Sequence, residues 1–168
     1  MPLLVSCTVE SVRVHVLTGQ HVVLLQAKDS NRLLPIWIGP DQAHSIATRI
    51  AGIASERPLT HDLMMDILAK LGVEVTRIVV KELVSDDSGG GIFHGSLFMQ
   101  MAGKEVEIDC RPSDAIALAV RCDARILVAD TVLDRSAIIA ESEEDQNLTV
   151  FKDFIDSLPD DPQVPPTN

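Results

Sequence analysis

Apolar and polar positions alternate along most of the chain, and the phase of that alternation marks out strands. Between Leu3 and Leu17, Val5, Cys7 and Val9 share one side, and Val12, Val14 and Val16 share the other. A period of two predicts a strand, and the slip of phase near Ser11 predicts a bulge in it. Thr18-Gly19-Gln20 turns the chain, His21 to Lys28 returns, and Asp29-Ser-Asn31 turns again. Leu33 to Ile38 makes a third strand, apolar on both faces, with Trp37 on one of them. Gly39-Pro40 ends it. Asp41 begins a helix with the stripe Ala43, Ile46, Ala47, Ile50 and Ile53. After a linker over 54–58, Thr60 is the expected N-cap of a second helix. Its apolar positions Met64, Ile67, Leu68 and Leu71 run i, i+3, i+4, i+7, and Gly72 suits the position after its end.

The pattern then starts again. Val73 to Leu83 is a long strand with the same slip, Val73 and Val75 on one face and Ile78 and Val80 on the other. A glycine-rich loop over 85–91, a strand from Ile92 to Met101 and a turn at Ala102-Gly103 follow. Val9 and Val12 match Val75 and Ile78 at a shift of 66; Pro40, Ala43, Ile46 and Ala47 match Pro112, Ala115, Leu118 and Ala119 at a shift of 72. The expectation is an α+β fold of duplicated β-β-β-α units over about 1–54 and 73–123, forming a mainly antiparallel or mixed sheet with helices packed against it. Ile126 to Ala129 reads as a short buried strand and Asp130 to Leu133 as one helical turn. One domain spans 1–140. An acidic linker and short amphipathic helix (Leu148, Phe151, Phe154, Ile155, Leu158) occupy 141–158, and 159–168 has the composition of a disordered tail.

Polar chemistry is densest at 104–122. Glu105, Glu107, Asp109 and Arg111 alternate with Val106, Ile108 and Cys110, so a half-buried strand carries a charged face. Pro112 stops it, and Ser113 and Asp114 open a helix whose run Ala115 to Val120 is apolar. Plain structural roles fit these residues: a helix cap worth about 1 kcal/mol and a solvated sheet face. Trp37 falls where the second unit has Asp109; it packs in the core, or covers a neighbouring subunit or a substrate base.

Composition narrows the chemistry. The 168 residues carry a formal net charge of −11, but 141–168 holds eight acids against Lys152 alone, so the body carries only −4. That balance argues against a simple nucleic-acid coat protein without excluding a polyanionic substrate. Cys7, Cys110 and Cys122 lack metal-type spacing and read as small buried hydrophobes; an odd count without a signal peptide favours a reducing cytoplasm. No apolar run approaches a membrane span. There is no Gly-x-Ser-x-Gly, and Gly89-Gly-Gly91 is followed by neither lysine nor helix, so nucleophilic serine and phosphate-loop chemistry find no motif. Hydrolysis by carboxylates with a metal or a histidine remains. Two clusters could serve it: Arg57, His61 and Asp62, and Asp109, Arg111, Ser113 and Asp114.

Three stretches carry a resemblance. Leu34-Pro-Ile-Trp-Ile-Gly39, Arg57-Pro-Leu-Thr-His-Asp-Leu63 and Asp109-Cys-Arg-Pro-Ser-Asp-Ala-Ile-Ala-Leu-Ala119 resemble, in order and spacing, signature stretches of the bifunctional nuclease family, over about residues 3–158. Phe151-Lys-Asp-Phe-Ile-Asp156 is similar to the helix that follows that domain. The resemblance implies cleavage of DNA or RNA, helped by a divalent cation, Mg²⁺ or Mn²⁺. Asp109 and Asp114 would hold metal or water, His61 would be acid or base, and Arg57 and Arg111, with Ser113 beside them, would hold phosphate. The alternative is a non-catalytic binding or regulatory module in which the same residues cap helices and pair with one another. A homodimer is expected, through the strand face of Leu33, Pro35 and Trp37.

Overall fold

The computed structural model describes residues 2–87 and 90–140. Among the described residues, eight strands form one mixed sheet: β1 (Leu4–Val14), β2 (His21–Ala27), β3 (Arg32–Ile38), β4 (Val73–Ser85), β5 (Gly91–Met101), β6 (Lys104–Cys110), β7 (Arg125–Ala129) and β8 (Ile138–Ile139). Four helices of the described residues accompany it: α1 (Pro40–Ile50), α2 (Thr60–Lys70), α3 (Pro112–Cys122) and α4 (Asp130–Ser136). The strand order is β6-β5-β4-β7-β1-β2-β3-β8, and the β4–β7 pair is parallel while the others are antiparallel.

Two β-β-β-α units flank β7, and their registers correspond. In the first, Val9 pairs with Leu25 and the ladder skips Glu10 to resume at Ser11. In the second, Val75 pairs with Met99 and the ladder skips Thr76 to resume at Arg77. Ile38 pairs with His21 as Cys110 pairs with Gly95. Both unit helices have 11 residues and open on proline. The shift between units is therefore 66 in the first strand, 74 in the second and 72 in the third strand and helix. The longer β4–β5 hairpin adds eight residues, and the tighter β5–β6 turn removes two. In that turn Ala102 and Gly103 both have positive φ, 50° and 77°, the geometry that matches the twist of a two-residue hairpin.

The bulges correct a reading of faces. A skipped residue shifts the pleat by one, so Val75 before the bulge and Ile78 and Val80 after it all join the core, as do Val9 and Val12 in β1. They lie on one face of the sheet, not on two.

α3 is the centre of the molecule. Ala115, Ile116, Ala117, Leu118 and Ala119 are each 2 % exposed or less. A helix apolar on all sides must be covered on all sides, and α3 packs between β4, β5 and β7 and the helices α1 and α2. Burying one side chain such as Ile116 is worth about 1.5–3 kcal/mol.

Several expectations change at the periphery. α1 ends at Ile50, and Ala47, Ile50 and Ile53 face outward; its buried side is Ala43, Ser45 and Ile46. On α2, Leu68 packs against the core but Met64, Ile67 and Leu71 are exposed. Trp37 is 56 % exposed, so it is no core residue. α4 runs two turns, held by Arg32 to Asp130 at 2.9 Å and to Asp134 at 3.0 Å. The helix and tail expected over 148–168 lie outside the described residues. Among the described residues, no helix is long and apolar enough to cross a membrane.

Candidate functional site

The N-termini of α2 and α3 meet beside α1, and the polar residues of both clusters are sorted by that meeting. Thr60 is the first residue of α2, not its cap; Leu59 holds the cap position. Asp62, one turn in, accepts the Leu59 N–H at 2.8 Å with one carboxylate oxygen. Its other oxygen accepts Arg121 Nε at 2.7 Å. Arg121 has a side chain only 5 % exposed, and it also donates to the carbonyls of Ala117 at 2.8 Å and Ser45 at 3.2 Å. One buried guanidinium thus ties α3 to α2 and to α1.

That brace turns His61 inward, leaving it 6 % exposed. Its Nδ1 lies 2.9 Å from Ser45 Oγ on α1, and its Nε2 lies 3.2 Å from Asp114 Oδ1 on α3. Asp114 Oδ2 accepts the Arg111 guanidinium at 2.7 Å. The result is a continuous line, Ser45–His61–Asp114–Arg111. An ionised carboxylate only accepts, so Nε2 carries a proton, and in the neutral ring Nδ1 accepts from the Ser45 hydroxyl. Burial alone would push the Asp114 carboxyl up, but hydrogen bonds from Arg111 and His61 outweigh it and hold it below the usual carboxylate range. Asp62 is held low in the same way: burial is overcome by the Leu59 N–H and Arg121.

The line borders a cavity of about 830 Å³, a size suited to a small ligand. Apolar side chains from α2 (Met64, Ile67, Leu68), β5 (Leu97, Met99) and β6 (Ile108) make most of its wall. Ile108 is 44 % exposed, which is why the inner face of β6 is only half covered. Asp109 reaches the same cavity but makes no hydrogen bond or ion pair among the described residues. Its neighbours in the charged row are paired: Glu105 with Arg77 at 2.6 and 3.0 Å, and Glu107 with Ser96 at 2.6 Å and Lys81 at 3.3 Å. For those two the structural role is the observed one. Cys110, also in the cavity wall, is a neutral thiol; burial pushes it up to about 11, and Asp109 and Asp114 add to the rise.

Of the residues expected to form the site, His61, Asp114 and Arg111 are joined directly. Ser113 is buried and lines a different cavity, while Arg111 borders both. Arg57 is exposed in the 51–59 connection and makes no hydrogen bond or ion pair among the described residues. Asp109 and Asp114 both line the first cavity. Both Asp114 oxygens are engaged, and among the described residues no three His, Cys, Asp or Glu side chains are placed to hold an ion. Sequence reasoning missed Ser45 and Arg121. A signal for Ser45 existed: its counterpart 72 residues on is Ala117, so one unit has a hydroxyl where the other has a buried methyl.

An uncharacterized protein of Mycobacterium tuberculosis is 34% identical to the chain over 163 residues, covering 91% of this chain and 94% of its own length. Bifunctional nuclease 1 of Oryza sativa subsp. japonica is 28% identical over 112 residues, 64% of this chain and 32% of the rice protein. Bifunctional nuclease 2 of Arabidopsis thaliana is 28% identical over 110 residues, again 64% of this chain and 32% of its own. The model of the bifunctional nuclease domain matches residues 23–141, a span that opens in β2, closes just past β8 and takes in the whole Ser45–His61–Asp114–Arg111 line; the chain belongs to the bifunctional nuclease domain family.

Proposed function

We propose that the chain hydrolyses phosphodiester bonds of DNA, RNA or both at the cavity where Arg111 meets His61 and Asp114. The observation that carries this reading is the hydrogen-bonded line from Ser45 through His61 to Asp114, which borders a ligand-sized cavity and ends on an exposed arginine. Family membership supports the substrate class, since plant members bear the name bifunctional nuclease.

The chemistry follows from the tautomer. Asp114 fixes the proton on Nε2, so Nδ1 is a base directed at Ser45 Oγ. As a water in the cavity attacks phosphorus, it gives its proton to Ser45 Oγ while the Ser45 proton passes to Nδ1. The water oxygen bonds to phosphorus, the bond to the leaving oxygen breaks, and that oxygen takes a proton from solvent. Asp114 stabilises the imidazolium. Arg111 faces the charge that builds on the phosphoryl oxygens. No step passes through a divalent ion, and the expected Mg²⁺ or Mn²⁺ is an arm of the test.

The test pairs Asp114→Asn with Asp109→Asn. Each variant is melted, then assayed on a single-stranded oligonucleotide with EDTA, Mg²⁺ or Mn²⁺. Asp114→Asn should stay folded and lose at least 100-fold in rate, because the wrong tautomer is no longer excluded. Asp109→Asn should lose activity only in the metal-dependent arms. Wild-type rates in a folded Asp114→Asn variant would make the polar line a brace and leave the chain a binding module.

A further inference from the structure

The strand-to-helix turns of the two units, Gly39-Pro40 and Arg111-Pro112, both line a second cavity of about 710 Å³. Among the described residues no carboxylate lines it, although the chain as a whole carries a net charge of −11. Neither α1 nor α3 has a side-chain cap, so the first N–H groups of two 11-residue helices are left without that partner at its edge. The positive ends of two helix dipoles therefore meet at one place.

A separate observation points to a ligand. Ser113 is 8 % exposed, and its hydroxyl makes no hydrogen bond among the described residues. No fully buried side-chain oxygen or nitrogen among the described residues is without a partner. The Ser113 hydroxyl must then reach open space, and the space it lines is this cavity. A buried hydroxyl with its donor free, beside a helix N-terminus, suits an oxyanion. Arg111, whose side chain is 69 % exposed, adds charge from the same wall. Trp37, the only tryptophan of the chain, lines it too and is 56 % exposed. An anion site next to an open indole, in a cavity that no carboxylate of the described residues lines, matches a phosphate carrying a planar base.

We propose that this second cavity holds one unpaired nucleotide of a single strand, its phosphate at Ser113 and Arg111 and its base stacked on Trp37. Stacking on a side chain needs a free base face, which a duplex does not offer. The inference rests on the nucleic-acid reading above and deepens it. Arg111 borders both cavities, so the held nucleotide flanks the phosphodiester presented to His61.

Trp37 reports on the site without any cleavage. The full chain is titrated in EDTA with a six-residue oligothymidylate, with a blunt duplex and with inorganic phosphate, and Trp37 fluorescence is followed. Saturable quenching by the single strand, at least tenfold weaker for the duplex and smaller in amplitude for phosphate, is expected. Ser113→Asp, which suits a helix N-terminus but repels an anion, should weaken binding at least tenfold. Ser113→Ala, which adds no charge, should weaken it about threefold and serves if the aspartate variant does not fold. No quenching at millimolar oligonucleotide, equal affinity for duplex, or wild-type binding by the folded Ser113 variants would overturn the site. Cleavage that persists without quenching removes this site and leaves the reaction; quenching without cleavage does the reverse.

Discussion

Asp62→Ala is the perturbation that bears most directly on how His61 is held. The aspartate makes two bonds, to the Leu59 N–H and to the buried Arg121 guanidinium. Losing a helix-terminal acceptor costs about 1 kcal/mol, and a charge-assisted bond is worth about 1.5–3 kcal/mol. Arg121 keeps the carbonyls of Ala117 and Ser45, and Asp62 is itself 36 % exposed, so water screens part of the loss. A net cost of roughly 2–3 kcal/mol results, which in a domain of this size lowers Tm by roughly 5–10 °C. The sign with pH is fixed by the low carboxyl. Its folded value lies below the unfolded one, so its contribution is complete above the unfolded value, near about 4, and fades as pH falls through the folded value. Thermal melts followed by circular dichroism at pH 7, 5 and 3 should show the wild-type advantage intact at 7 and 5 and shrinking at 3. Arg121→Met in the Asp62→Ala background should recover stability, because the stranded charge is gone. A Tm change under about 2 °C at pH 7, or a gap that does not narrow in acid, would refute the brace.

Other consequences are open to simple measurements. Ala102 sits at φ 50°, where asparagine is better tolerated; Ala102→Asn should raise Tm by roughly 2–4 °C, and a fall would contradict the turn geometry. Cys110 and Cys7, both pushed up to about 11, should alkylate far more slowly in the native chain at pH 8 than in urea; equal rates would place these thiols outside the core. We propose that the expected homodimer forms through the outward apolar stripe of α2 (Leu63, Ile67, Leu71) instead of the β3 face. Light scattering at micromolar concentration should give twice the chain mass, and Ile67→Glu should halve it; a monomeric wild type ends that proposal.

The alternation of Val5-Cys7-Val9 and Val73-Val75 carried the strands, and the phase slips marked both bulges, because a pleat writes itself into sequence with period two. What the slip does to the faces is a property of the paired ladder, so Ile78 and Val80 were assigned to the wrong side. His61, Asp114 and Arg111 were legible as polar residues at helix starts. That they join to one another depends on how α2 crosses α3, which is set by Arg121, an arginine that looks like any last-turn cation in the sequence. Ser45 stands out in the sequence only against Ala117, and only the approach of α2 makes it a partner for Nδ1. The apolar spacing of α2 did not say what covers it, and Trp37 was left between core, subunit contact and substrate base. Both face open space, since covering a face requires a neighbour and spacing does not supply one.

The central claim is that His61, poised by Asp114, drives cleavage. The direct measurement is the single-turnover rate of oligonucleotide cleavage by His61→Gln and wild type, purified side by side. Glutamine can keep a hydrogen bond within the line but cannot cycle a proton, so the variant should melt within a few degrees of wild type and cut at least about 100-fold more slowly. A folded His61→Gln protein that cuts at the wild-type rate would contradict the account.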